Sequence, residues 1–242
     1  MSTALSGNLQ VVGTPLFVSG GDSTAQHVVG ARAVANDGRI FRYVFATPTA
    51  LVAGNLQQGP AEKTNHQNLT APVAAIGATS IAVTLGATLA QDNEYAGGLM
   101  VITVTPGVGY SYRIKSHPAA ASAASLTLTL EDPIEVALTA TSRIDLVHNP
   151  YNGVIVSPTT QTGPVVGVAI DVIDAGKYGW IQSQGPVGCL VDQTVTVGKA
   201  LSASTGVAGA VRHVQSTAAT IVGHAMTGGA DTEYCAIYLT ID

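Results

Sequence analysis

The sequence is short of charge. Ten Lys and Arg against fifteen Asp and Glu make up 10% of 242 residues and leave a net of -5, where an average soluble chain carries about a quarter charged residues. Aromatics reach 5%, and there are two cysteines, three methionines and one tryptophan. Each shortage excludes something. Cations this sparse argue against phosphate-backbone binding, which needs clustered Lys and Arg, and only Arg32, Arg39 and Arg42 approach a cluster. Cys189 and Cys235 form no CxxC and no Cys/His group, so they read as small buried hydrophobes, and nothing in their spacing supports a disulfide. The six histidines (His27, His66, His117, His148, His213, His224) show no HxH, HxxxH or HExxH spacing, so neither metal nor cofactor is expected. His213 and His224 are the one pair that neighbouring strands could bring together.

Low charge raises disorder and membrane insertion as explanations, and both fail. Disorder needs few apolar residues and high net charge, whereas this chain is 46% hydrophobic with mean hydropathy +0.33. The uncharged run from Ala71 to Ala90 contains Pro72, Gly77 and Gly86, and then Ile81, Val83 and Leu85 alternate with Ala82 and Thr84. That period of two describes a half-buried strand rather than a spanning helix. The opening MSTALSGNLQ has no basic start and no compact apolar stretch, so no secretory signal is expected and synthesis in a cytoplasm is the default.

What is abundant is β-branched. There are 29 Val, 27 Thr and 14 Ile, punctuated by 27 Gly and 11 Pro, a composition of strands and turns. The expected class is all-β: two small antiparallel domains, barrel or sandwich, with a loosely structured N-terminal segment. Residues 1–70 read as an arm holding one clear strand, Arg39 to Phe45, after the turn Asn36-Asp37-Gly38. Phe41, Tyr43 and Phe45 share one of its faces. The stretch Gln57 to Leu69 is too polar for a core and reads as linker. Residues 71–150 read as a central β domain of about five strands: Ile81/Val83/Leu85, Leu99 to Thr105, Tyr110 to Ile114, Leu126/Leu128/Leu130 and Arg143 to His148. Asn149-Pro150-Tyr151-Asn152-Gly153 is a dense turn signal. Residues 151–242 then read as a small barrel of six strands, at Val165 to Val172, Tyr178 to Gln184, Thr194 to Val197, near Val207 to Val214, Ile221 to Met226 and Tyr234 to Ile241.

No constellation in this sequence carries catalysis. Gly20-Gly21-Asp22-Ser23 lacks the GxSxG elbow and its strand-to-helix context. Pro106-Gly107-Val108-Gly109 has two glycines of a dinucleotide fingerprint but runs into a strand, so it is a hairpin turn. Glu131, Asp132 and Glu135 form an acidic cluster best read as a solvated turn. Tyr178 and Trp180 lie in a strand-like segment and are core or interface anchors before they are a sugar-stacking platform. A cellular hydrolase would need a converging Ser/His/Asp set that is not visible. Charge-poor surfaces cost little to desolvate, which suits permanent packing against neighbours.

Several stretches then carry a resemblance. Ala175-Gly176-Lys177-Tyr178-Gly179-Trp180-Ile181-Gln182, Gly185-Pro186-Val187, Ile221-Val222-Gly223-His224-Ala225-Met226-Thr227 and Tyr234-Cys235-Ala236-Ile237-Tyr238-Leu239 resemble the capsid cement (decoration) proteins of tailed bacteriophages, whose small barrel has a Tyr-Gly-Trp strand with Gly-Pro after it. Tyr95-Ala96-Gly97-Gly98, Tyr112 to Pro118, Leu130-Glu131-Asp132-Pro133 and Asn149 to Val154 are similar to structural proteins of environmental phages. The resemblance implies a virion protein, made in the bacterial host cytoplasm and placed on the outer capsid surface. It would be a homotrimer bridging major capsid protein subunits, without direct nucleic-acid or membrane contact. Arg32, Arg39 and Arg42, with Tyr178 and Trp180, are the residues expected at a capsid or subunit interface. The alternative is a tail or fibre protein with a glycan-binding β domain around Trp180.

Overall fold

The computed structural model describes residues 11–12, 17–216 and 219–242. The first ten residues and 13–16, on which part of the expected N-terminal segment falls, lie outside the described residues. Strands run in the order β1 (Val11–Val12), β2 (Arg32–Val34), β3 (Ile40–Ala46), β4 (Leu56–Gln58), β5 (Leu69–Thr70), β6 (Ser80–Thr84), β7 (Leu99–Val104), β8 (Ser111–Ser116) and β9 (Ser125–Leu130). They continue with β10 (Arg143–Val147), β11 (Asn152–Val156), β12 (Val165–Ala169), β13 (Lys177–Leu190), β14 (Ala200–Ala203), β15 (Val211–His213), β16 (Ile221–Ala225) and β17 (Tyr234–Thr240). Helix among the described residues is limited to one 3-10 turn, Thr64–His66. The chain is all-β, as its composition requires.

It divides into two compact units, one of residues 1–60 with 150–242 and the other of 61–149. In the second unit six strands pair in the order β5-β10-β7-β8-β9-β6, a sheet that curls into a nearly closed barrel. Strict alternation builds it. In β6 (SIAVT) and β9 (SLTLTL) every second residue is buried, so Ile81, Val83, Leu126 and Leu128 meet Met100, Ile114 and Ile144 in one core. Each such side chain contributes roughly 1.5–3 kcal/mol on burial.

The first unit is an 11-stranded sheet, β1-β2-β3-β11-β4-β12-β13-β17-β16-β14-β15, with an additional β3–β13 pairing. That pairing closes β3, β11, β4, β12 and β13 into a ring around Val44, Leu51, Val154, Val166 and Ile181. β1 and β2 pair onward from β3, and β17, β16, β14 and β15 extend from the second half of β13, which changes partners at Gln184 from β3 to β17. The latter surround another core that includes Leu56, Val168, Leu201 and Ile237. Gly223 lets β16 approach β17, since a Cβ there would run into the carbonyl oxygen of Tyr238. Cys189 and Cys235 face each other across β13 and β17 as free, buried thiols, and burial pushes the Cys189 thiol up.

Several expectations need correcting. Residues 17–60 are not an arm: β3 is apolar on both faces, and a strand of that kind is stable only when both faces are covered, so it becomes a wall of the ring. Gln57 and Gln58 are not linker but fully buried members of β4. The amide of Gln57 donates to the Asn55 carbonyl, and that of Gln58 to Thr162 Oγ1, which makes their burial tolerable. Thr194 to Val197 supplies only a bridge at Val195, and the strand is β14. That strand also separates His213 on β15 from His224 on β16, so the two histidines do not sit on adjacent strands.

Candidate functional site

Register places the residues singled out from sequence. β3 and β13 run antiparallel with Phe45 opposite Tyr178, Tyr43 opposite Trp180 and Phe41 opposite Gln182, so one face of this strand pair is aromatic. Tyr43 and Trp180 meet at 5.0 Å between ring centroids, Phe45 and Tyr178 at 4.6 Å. Phe17 reaches Phe41, and His27 lies 5.2 Å from both Tyr43 and Trp180. All three phenylalanines and the single tryptophan of the chain thus gather at one place. Such ring pairs add about 0.5–1.5 kcal/mol each beyond area burial.

The cover over this face comes from residues 17–31. Asp22 and Tyr178 exchange backbone hydrogen bonds of 2.8 and 2.9 Å, and Gly30 and Ala31 bond to Tyr43 in the same manner. The Tyr43 hydroxyl accepts from the Gln26 N–H (3.1 Å) and donates to Asp22 Oδ2 (3.4 Å), and burial raises its pKa. Trp180 is left only 6% exposed. The cavity beside it, lined by Phe17, Asp22, Asp171, Ile173, Tyr178 and Trp180, measures about 10 Å³, room for one water and not for a sugar.

The three arginines separate into two environments. Arg32 and Arg42 are register partners on β2 and β3 and converge on Asp242. Arg42 makes a two-pronged contact, Nε to Oδ2 at 2.6 Å and Nη2 to Oδ1 at 2.5 Å, while Arg32 Nε stands 3.9 Å away. Ser183 Oγ also donates to that carboxylate. Partial burial works to raise the Asp242 pKa, but the bonds from Arg42 hold it below the usual value. Arg42 further covers the Tyr151 ring at 5.4 Å. Arg39 lies apart, paired with Asp37 of its own turn at 2.7 Å, and the bonds from Arg39 lower the Asp37 pKa. So Arg42 and Trp180 sit on opposite faces of one strand pair, and the expected interface set is not a single patch.

A second cluster, in the unit of residues 61–149, had no signal in sequence spacing. Three histidines surround the buried ring of Tyr95. His66 Nδ1 lies 2.5 Å from the Tyr95 hydroxyl and its Nε2 2.9 Å from the Thr88 carbonyl. His117 Nε2 accepts from the Tyr95 backbone N–H at 2.9 Å, and its Nδ1 faces the Pro118 carbonyl at 2.8 Å. His148 stacks on Tyr95 at 4.5 Å and reaches Glu94 Oε1 at 3.1 Å. Lys63 Nζ shares the Glu94 carboxylate at 2.7 Å. Burial lowers the pKa of His66 and raises that of Tyr95. Glu94 is held at about 2, because the bonds from His148 and Lys63 outweigh its desolvation. These residues come from separate segments that only the fold brings together, so no motif spacing could reveal them.

Among the described residues no group of three or more His, Cys, Asp or Glu is placed to hold a metal ion, and no helix is long and apolar enough to cross a membrane. Glu131 pairs with Arg113, and Glu131, Asp132 and Glu135 are exposed in a turn. The fold and these clusters define an all-β chain of barrel-like sheets with a covered aromatic face in one unit and a buried imidazole cluster in the other. Comparison of the chain with models of protein families, with curated proteins and with solved structures finds no match.

Proposed function

We propose that this chain is a structural protein of a tailed-bacteriophage virion, an outer capsid cement protein that bridges major capsid subunits as a homotrimer. One observation carries the reading beside the sequence resemblance: most of the few cations of the chain are paired internally. Six of its ten Lys and Arg side chains lie within 4.0 Å of a carboxylate of the same chain, namely Arg32, Arg39, Arg42, Lys63, Arg113 and Arg212. Apolar side chains meanwhile face solvent in both units, among them Val28 at 73% and Val73 at 80% exposure. A surface of this kind loses little on desolvation and gains from apolar contact. Modest contacts per copy then become strong when one oligomer engages several shell subunits at high effective concentration.

The role of Arg32 and Arg42 in this reading is internal, as the clamp on Asp242, with the aliphatic parts of the side chains left for contact. The glycan-binding alternative requires an exposed ring at Trp180, and its burial under His27 and Tyr43 speaks against a stacking platform there. Cryo-electron microscopy of the virions that carry this chain tests the proposal. Density matching the two barrel-like units on the outer capsid, in trimers between major capsid subunits, is expected. Finding the chain only at the tail tip, or absent from particles, would overturn it.

A further inference from the structure

We propose that the imidazole cluster around Tyr95 is an acid-sensitive lock on the unit of residues 61–149, which holds its fold only while His66 and His117 are neutral and loosens in mild acid. The argument rests on hydrogen-bond valence. A neutral imidazole has one donor and one acceptor nitrogen, and an imidazolium has two donors. At His117 the acceptor is Nε2, because the group facing it is the backbone N–H of Tyr95, which can only donate. The donor is Nδ1, because the Pro118 carbonyl can only accept. A proton added at Nε2 points at a fixed N–H and breaks the bond. The loss falls on a buried backbone donor, since His117 is 3% exposed and Tyr95 fully buried.

His66 is constrained less strictly, because its partner is a hydroxyl that can also accept. Its Nε2 faces the Thr88 carbonyl and must donate, so Nδ1 accepts from the Tyr95 hydroxyl. Protonated, Nδ1 would donate to the hydroxyl oxygen and oblige the buried Tyr95 hydroxyl to turn its own proton away. The charged groups bearing on His66 are Lys63, His148 and Glu94. Lys63 oppose a further cation, as does His148 when charged, and the favourable carboxylate, Glu94, already serves both of them. His117 faces Tyr95 and the side chain of Asn93, which accepts from the His117 backbone N–H. Neither supplies a compensating charge.

The direction follows from linkage. Burial holds the His66 imidazole below its ordinary value of 6.5, so its contribution is complete above that pH and is lost as pH falls below it. Keeping His66 neutral lowers the folding constant by up to about tenfold per pH unit in that window. In the other unit, among the described residues, His213 Nε2 also takes a backbone N–H, that of Thr196, but at an exposed position where water can replace the lost bond.

Hydrogen exchange of the full chain, read by mass spectrometry at pH 7.5 and pH 5.0 and corrected for intrinsic rates, tests this. Protection of segments 88–118 is expected to fall about tenfold or more on acidification, while the β13 segment keeps most of its protection. In His117→Gln, whose amide offers an acceptor without titrating, the fall should shrink by about tenfold. Equal protection at both pH values, an equal loss in both units, or an unchanged fall in His117→Gln would overturn the proposal. Should that variant not fold, imidazole carbon and nitrogen shifts of the unaltered chain decide. His66 and His117 must stay neutral in folded molecules at pH 5.5, and their protonation without loss of structure would refute the lock.

Discussion

Tyr43 in the larger unit and Tyr95 in the smaller are both fully buried, and the two units solve the problem of a buried hydroxyl differently. In the larger unit the Tyr43 hydroxyl sits under a covering loop, accepting from Gln26 N–H and donating to Asp22, while rings of Trp180, Tyr178 and His27 pack around it. Its hydrogen bonds lie near solvent, and its neighbours are mostly rings that do not titrate near neutral pH. In the smaller unit Tyr95 is held by imidazoles whose tautomers are dictated by the backbone and carbonyl groups around them. The first solution is robust to pH and depends on packing. The second specifies its geometry tightly and depends on protonation state. A buried hydroxyl is equally satisfied in both, so the partners decide what conditions the unit tolerates.

The comparison breaks most visibly at the packing side. Trp180→Ala should destabilise the larger unit by about 3–5 kcal/mol, measured by chemical denaturation, and leave exchange in segments 88–118 unchanged; similar losses in both units would mean that packing does not separate them. Strong acid is the next largest effect. The Glu94 carboxylate, at about 2 rather than 4.5, gives stability that is complete above pH 4.5 and lost as pH falls through about 2. The amount is about 2 kcal/mol, less than the full shift implies because the group keeps some contact with water. Glu94→Gln should flatten that part of the curve in denaturation midpoints taken between pH 5 and 2. Paired hydroxyl deletions sharpen the contrast directly. Tyr95→Phe leaves the acceptor nitrogen of His66 unpaired in the interior and should cost about 1–3 kcal/mol, whereas Tyr43→Phe frees a Gln26 N–H that water can reach and should cost less than about 1 kcal/mol. Equal losses would show that burial of the partner is irrelevant. The smallest difference is among the arginines: Arg42→Ala, removing a two-pronged partly buried contact, should cost about 1 kcal/mol, and Arg39→Ala, removing an exposed pair, should leave the denaturation midpoint almost unmoved.

The smaller unit was the more legible of the two. Ile81/Val83, Leu126/Leu128/Leu130 and Ile144/Leu146 alternate because each of those strands has one wet and one dry face, and alternation is what sequence displays. The larger unit hides more. β4 reads as polar because Gln57 and Gln58 are held inside the wall, where each side-chain N–H finds an acceptor, and β14 (ALSA) is too short and mild to signal. Phe41, Tyr43 and Phe45 were visible as a face, yet what covers them, residues 17–31, has almost no regular pattern of its own. Trp180 and Tyr178 were found as anchors, and their partners were not, since pairing across 137 positions between Tyr43 and Trp180 is set by register. The Tyr95 cluster was illegible for a related reason. Its histidines are neighbours in space through loops that follow different strands, and single-sequence spacing carries no trace of such closure.

One strand ties much of this together mechanically. β13 gives its first half to β3 and its second half to β17, with Ile181 in one core and Cys189 in another. A tug applied to β17 therefore reaches β3 through a single continuous backbone rather than through side-chain contact. The strand works as a splice between the ring and the strands beyond it, and strain entering one side of the larger unit is carried to the other.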